Sequence, residues 1–111
     1  MKSASINNIY ENIPQSLPNE LFQSLFQTHN ILIERIISKG HYYAQNQWDC
    51  QIQDEWILLL QGQTRLEFKT PEKIVELKQG DYLLIPSNTE HRVAWTTAET
   101  ETIWLAVHVY P

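Results

Sequence analysis

The chain is poor in cysteine and in basic residues, and it lacks any long apolar run. Cys50 is the only cysteine among 111 residues, which excludes an intrachain disulfide and suits a reducing cytoplasm. Eight lysines and arginines face thirteen acidic residues, and the net charge of −5 argues against nucleic acid or an anionic membrane as the main partner. No stretch reaches the ~18 apolar residues of a transmembrane helix, and residues 1–15 hold no signal-peptide core. We therefore expect a small cytoplasmic protein.

The apolar content is enough for a single core. Apolar residues make up 42% of the sequence, which is ordinary for a globular protein. A chain of 111 residues suggests one domain, and a domain of this size buries roughly two-thirds of its unfolded surface.

The N-terminal part, residues 1–30, differs in pattern from the rest of the chain. Its first half is polar and extended. Four apolar side chains then recur at a spacing that places them on one helical face: Leu21, Phe22, Leu25 and Phe26. Ser16 ahead of Pro18 offers a helix start. Residues 1–30 are therefore predicted to form an arm and one short amphipathic helix packed on the remainder.

From residue 31 onward the chain reads as short strands separated by turn residues. The segment ILIERIIS is β-branched and roughly alternating, and it ends at Lys39-Gly40. Seven such segments follow one another at intervals of about ten residues. The pattern predicts an all-β fold, an antiparallel sandwich or barrel over residues 31–111.

Two stretches resemble the paired motifs of the cupin superfamily, G(X)5HXH(X)3-4E(X)6G and G(X)5PXG(X)2H(X)3N. Glu55 is followed after six residues by Gly62, as in the first motif. Gly80, Pro86 and His91 keep the spacing of the second motif, with Asn88 in a glycine slot and Trp95 in place of the final Asn. The first motif departs at its HXH, which here is Asp49-Cys50-Gln51, and Gly40 stands eight residues ahead of it.

The resemblance implies a double-stranded β-helix, or jelly-roll barrel, of the small single-domain type. Side chains alternate faces along a strand, so Asp49, Gln51 and Glu55 share one face if that strand is unbroken. A closed barrel turns such a face into its lumen. His91 is expected to enter the same lumen from the adjacent sheet.

The same resemblance implies a metal site, because these four positions hold the ligands in cupins. The set Asp49, Gln51, Glu55 and His91 is rich in oxygen donors, which suits Mn²⁺, Fe²⁺ or Mg²⁺ better than Cu²⁺. A hydrogen-bonded polar network with water and no metal is the alternative. Polar groups in a dry lumen are costly without a cation or water, so both alternatives stay open.

Three further residues are candidates for the pocket. His108 shares a face with Trp104 and Ala106 and is either a lumen group or a surface histidine of the last strand. Trp95 alternates in phase with His91 and is expected to line the pocket. Tyr43, in the loop after Gly40, is a candidate lid.

Three functions remain open from the sequence. The first is a module that binds a small molecule, with or without metal. The second is an enzyme of the isomerase, lyase or dioxygenase type, with Glu55 as base and His91 as acid or electrophile. The third is a barrel whose chemistry is vestigial and which serves interaction or stability. The resemblance also implies a homodimer.

Overall fold

The computed structural model describes residues 4–111, which form eight strands in two antiparallel sheets. The strands are β1 (Leu21–Gln27), β2 (Ile31–Ser38), β3 (Asp54–Gln61), β4 (Gln63–Lys69), β5 (Glu72–Lys78), β6 (Tyr82–Ile85), β7 (His91–Thr96) and β8 (Thr102–Val109). One sheet has the order β1-β2-β8-β3-β6, and the other has the order β5-β4-β7. The cupin-like jelly roll expected from the sequence is therefore confirmed.

Alternation along the strands separates the core from the surface. In β3 the side chains of Glu55, Ile57 and Leu59 are buried, while their neighbours in the strand are exposed or only partly covered. Such a two-residue period is typical of a sheet with one face on the core. The inward side chains of both sheets meet in one cluster: Ile36, Ile57, Leu59, Leu66, Leu77, Ile85, Trp104 and Ala106.

The predicted N-terminal helix is wrong, because the segment forms the edge strand β1. The described residues contain no helix at all, and thus none that could span a bilayer. Phe22 pairs with Ile36 and Phe26 pairs with Ile33, with a register shift between Ser24 and Phe26. Ile33 and Ile36 face opposite sides of β2, so the bulge turns the two phenylalanines to opposite faces. This irregular strand therefore has an apolar spacing that resembles a helical one.

The arm ahead of β1 is held against the outer face of the larger sheet by a buried arginine. Arg35 in β2 is 6% exposed. Its guanidinium donates hydrogen bonds to the carbonyls of Ile9, Glu11 and Asn12, at 2.9, 2.6 and 3.4 Å. It also donates twice to Gln23 Oε1 of β1, at 2.8 and 2.5 Å. A buried charge is tolerated only when it is well hydrogen-bonded. The hydrogen bonds that satisfy the Arg35 guanidinium also tie the arm and the edge strand to the sheet.

Candidate functional site

A cavity of about 100 Å³ lies between the two sheets, walled by apolar side chains of the core. Its polar lining comes from both sheets and from two loops: Glu20, Glu34, Tyr43, Asp49, Gln51, Glu55, His91 and His108. The structure thus places together all four residues of the predicted ligand set, as well as His108 and Tyr43. Glu34 and Glu20 also line the cavity and were not selected from the sequence, and Trp104, which shares the face of His108, lines it as well.

Asp49 and Gln51 reach the cavity from a loop instead of a continuous strand, since β3 begins only at Asp54. Asp49 and His91 exchange two backbone hydrogen bonds, at 2.8 and 3.0 Å, as an isolated bridge. The Asn88 N–H donates to the Gln51 carbonyl at 2.6 Å, and Asn88 takes a left-handed φ of 58°. Asparagine tolerates this conformation better than most residues, which explains how it occupies the glycine slot of the motif.

Glu55 is a buried carboxylate with two polar neighbours. It is 8% exposed, and its Oε1 accepts a hydrogen bond from Gln51 Nε2 at 3.0 Å. Its Oε2 lies 3.9 Å from Nε2 of His108. Glu55 is thus held in the lining by Gln51, with His108 close to its second oxygen.

His108 lies between two carboxylates and has a fixed hydrogen-bonding pattern. Its Nε2 is 2.7 Å from Glu34 Oε1, and its Nδ1 is 3.2 Å from the side-chain nitrogen of Gln53. A carboxylate only accepts, so Nε2 carries the proton. The hydrogen bond to Glu34 raises the pKa of His108, and the charge of Glu55 adds to this effect, while burial opposes it.

His91 presents the opposite tautomer. Its Nδ1 is 2.9 Å from the carbonyl oxygen of Thr89 and must donate to it, because a carbonyl only accepts. In the tautomer that this hydrogen bond selects, the lone pair is on Nε2. His91 is 6% exposed and lines the cavity, so this Nε2 is available as an acceptor or base inside a sheltered space.

Two more ionisable groups complete the lining. Burial raises the pKa of the Tyr43 phenol, and the charge of Asp49 and a hydrogen bond with its side chain raise it further. Burial also raises the pKa of the Glu20 carboxyl, against the lowering effect of the hydrogen bond that Ser38 Oγ donates to it. At neutral pH, Tyr43 is therefore a neutral donor beside the Asp49 carboxylate.

The family of the cupin domain matches residues 37–108. This chain belongs to the cupin family. No curated protein matches its sequence.

Among solved structures, the cupin is similar to a "putative mannose-6-phosphate isomerase" from Ralstonia eutropha JMP134. The two chains are 34% identical, with a TM-score of 0.92 over 97% of this chain and 100% of the other. A cupin superfamily protein from Desulfitobacterium hafniense DCB-2 is 18% identical over 89% of this chain and 84% of its own, with a TM-score of 0.73. A conserved Streptococcus pyogenes protein of unknown function is 16% identical over 100% and 91%, with a TM-score of 0.76. The latter two share the fold alone.

A divalent metal is the cofactor that the cupin motifs imply, and the donor set of this cupin does not form a ready site for it. Among residues 4–111, no three side chains of the His, Cys, Asp and Glu types are gathered closely enough to hold one ion. The amide of Gln51 is directed to Glu55 through its nitrogen. Metal ligands at about 2 Å must converge on one point, and the described side chains of these types do not converge in this way.

Trp95 lies outside the cavity, on the opposite side of β7 from the expected one. Arg65 pairs with Trp95 and the next residue, Leu66, pairs with Val93, so Ala94 is an extra residue in β7. Such a bulge reverses the alternation, and Val93 lines the cavity instead. Trp95 is 37% exposed and stacks under the Arg65 guanidinium at 5.5 Å.

The missed residues carried a partial signal in the sequence. Glu34 lies two residues before Ile36 in β2, so the two side chains share the inward face of the strand. Trp104 lies four residues before His108 in the last strand, so the alternation places both on the same face. Glu20 carries no such signal, because the spacing around it predicts a helix. It lines the cavity from the position just before β1 and accepts a hydrogen bond from Ser38 at the end of β2.

Proposed function

We propose that this cupin binds a small polar molecule in the cavity between its sheets. The observation that supports the proposal is the set of polar groups brought together there: Asp49, Gln51, Glu55, His91 and His108. Binding sites are typically concave and mostly apolar, with a few polar groups that converge on the ligand. The cavity has this character, since Ile57, Leu66 and Ile85 form its walls.

The side chains are held in place before any ligand arrives. Glu55 is fixed by Gln51, His108 by Glu34, and the His91 ring by the Thr89 carbonyl. Ordering such groups on binding costs affinity, so a site that is already ordered retains more of its interaction energy. The lone pair of His91 Nε2 is the group that this network leaves free to contact a ligand.

Ligand-induced thermal shift across small sugars, acids and phenolics tests the proposal. His91→Ala is expected to abolish the shift that a hit produces, and the surface variant His29→Ala is expected to retain it. Equal shifts in both variants would contradict the proposed placement. If no compound shifts the melting temperature and the double variant Glu55→Gln/His91→Ala melts like the native protein, the vestigial alternative replaces this one.

An isomerase-type activity is the second candidate, supported by the similarity to the Ralstonia eutropha protein. The roles differ from those expected from the sequence, because the hydrogen bond to Thr89 leaves His91 Nε2 without a proton. In this cupin, His91 Nε2, instead of Glu55, would take a proton from a carbon next to a carbonyl, and the same group would return it to the neighbouring carbon. Glu55 and His108 would exchange the proton on the oxygens. Incorporation of deuterium into mannose in D₂O tests this chemistry. Mannose 6-phosphate is the comparison, because no lysine or arginine among residues 4–111 borders the cavity to receive its phosphate group. No incorporation with either sugar would contradict it for these substrates.

Two other properties stay predictions. A divalent metal, with Mn²⁺, Fe²⁺ or Mg²⁺ preferred over Cu²⁺, is tested by elemental analysis of protein purified without chelator. A homodimer is tested by light scattering after gel filtration. The exposed apolar side chains of the edge strand β1 that do not line the cavity, Leu25 and Phe26, are the ones that a dimer would cover.

A further inference from the structure

We infer that the ligand of this cavity is a small amine-bearing alcohol, and that the cavity rejects phosphate esters. The inference rests on the proposed function, since it names the chemical class that the same site takes. It follows from three features of the lining: its charge, its balance of donors and acceptors, and one buried donor that has no partner.

The charge of the lining is negative. Four carboxyl groups border the cavity, from Glu20, Glu34, Asp49 and Glu55, and no lysine or arginine between residues 4 and 111 borders it. His108 offsets part of this charge through its contact with Glu34. A phosphate group would enter beside these carboxylates without a cation to receive it, whereas proteins recognise phosphate with Arg, Lys or backbone N–H groups.

The lining is also rich in acceptors. Carboxylates only accept, and His91 adds an acceptor because its proton is on Nδ1. The amide nitrogen of Gln51 is already engaged by Glu55. A ligand that satisfies such a lining must supply several N–H or O–H donors, and an ammonium group supplies three together with a positive charge.

The independent observation is the indole of Trp104. This side chain is 4% exposed and lines the cavity, and its Nε1–H has no acceptor within the part of the chain that the structure describes. A buried donor without a partner is costly and rare in native proteins. A hydroxyl oxygen on the ligand would accept from it, while the ammonium group of the same ligand contacts the carboxylates.

Three compounds with one three-carbon skeleton test the inference: 2-aminopropane-1,3-diol, glycerol and glycerol 2-phosphate. They carry an ammonium, a hydroxyl or a phosphate group on the central carbon. NMR titration of the full chain at neutral pH is expected to give about tenfold tighter binding of the amine than of glycerol. Glycerol 2-phosphate is expected to show no saturable binding.

Two variants and a matched control assign the effect to the cavity. Asp49→Asn removes one charge at constant size and is expected to reduce the preference for the amine over glycerol. Trp104→Phe removes the N–H and is expected to weaken the amine and glycerol by similar factors. Glu72→Gln removes an exposed carboxylate on β5 and should change neither.

The outcomes separate the inference from the proposed function. If glycerol 2-phosphate binds as tightly as the amine or more tightly, the inference is overturned, and the cavity remains a binding site. If the amine and glycerol bind equally, the inference is also overturned, because the negative lining then gives no preference for an ammonium group. If none of the three compounds binds, the inference falls, and the proposed function falls with it unless the thermal-shift panel gives a hit. The ranking in the native protein decides each case, even where a variant does not fold.

Discussion

His108 and Glu34 lie diagonally across strands β8 and β2, and the imidazole Nε2–H donates to Glu34 Oε1 over 2.7 Å. Both side chains are largely buried, at 7% and 14% exposed. The contact fixes the ring so that its other nitrogen faces Gln53. A charge-assisted hydrogen bond of this kind determines both the tautomer and the orientation of the histidine at the cavity wall.

The first prediction concerns this pair. Replacing Glu34 by Gln should lower the pKa of His108, because the hydrogen bond to Glu34 is the main cause of its elevation. NMR titration of the His108 ring resonances measures the change. The Glu72→Gln variant should leave the titration of His108 where it is in the native protein. An unchanged His108 pKa in Glu34→Gln would show that the hydrogen bond to Glu34 does not raise that pKa.

The second prediction concerns the pH dependence of stability. The pKa of Glu20 is raised in the folded protein from its ordinary value of 4.5, so the fold binds more protons than the unfolded chain in the interval between the two values. Stability should therefore fall as pH rises through that interval. Glu20→Gln keeps an acceptor for Ser38 and should remove this loss, so that the variant is the more stable form at neutral pH.

Urea unfolding at a series of pH values measures the effect on Glu20. The free energy of unfolding of native protein and variant should converge at acid pH, where the native carboxyl is protonated, and diverge above it. If the native protein instead became more stable relative to the variant as pH rises, the raised pKa of the buried Glu20 would be contradicted.

The third prediction separates two glycines of the cupin motifs. Gly62 and Gly80 have almost the same φ, 89° and 90°. A Cβ on Gly62 would contact Thr102, reaching its Cα at 2.7 Å, whereas a Cβ on Gly80 would meet nothing within 4 Å. Gly80→Ala should cost about 1–2 kcal/mol from backbone strain alone. Gly62→Ala should cost about 1–3 kcal/mol more, from overpacking against β8.

Thermal or urea denaturation of the two glycine variants provides the comparison. Because the backbone conformation is matched, the difference between them reports the close approach of the β3–β4 turn to Thr102. Equal destabilisation would show that the turn moves away from β8 without penalty.

The fourth prediction concerns the arm. Arg35→Ala removes the donors that hold the carbonyls of Ile9 and Glu11 and should destabilise the fold by about 2 kcal/mol, the scale of a hydrogen bond to a charged group. Arg65→Ala, which breaks the exposed pair with Glu76, should cost less than about 1 kcal/mol. Limited proteolysis should cut residues 4–20 faster in the Arg35 variant only. Resistance equal to that of native protein would show that other contacts hold the arm.

Much of the barrel was predictable from residue pattern, because its strands bury one face each. The segment ILIERIIS coincides with β2, and Gly62 comes directly after the end of β3. The sequence around Gly62 also has the pattern of a tight hairpin, and that interpretation is wrong, because β3 and β4 belong to different sheets. Two of the failures, β1 and Trp95, occur at bulges. A bulge adds one residue and reverses the faces beyond it, and it is set by the pairing partner. Local periodicity therefore could not reveal either one.

The cavity itself was predictable only in part. Asp49 and Gln51 border it as the alternation suggested, yet a backbone bridge to His91 carries them there instead of a continuous strand. Their role as metal ligands stays a prediction. The partners of Glu55 and His108 come from residues distant in sequence, such as Glu34, and no spacing rule in the sequence connects them.

The most direct measurement of a ligand in the cavity is the indole N–H spectrum during titration with 2-aminopropane-1,3-diol. Trp104 lines the cavity, whereas Trp48, Trp56 and Trp95 do not. We expect the Nε1–H resonance of Trp104 to move and saturate while the other three stay in place. A stationary Trp104 resonance, or a saturating shift confined to the outer tryptophans, would contradict binding between the sheets.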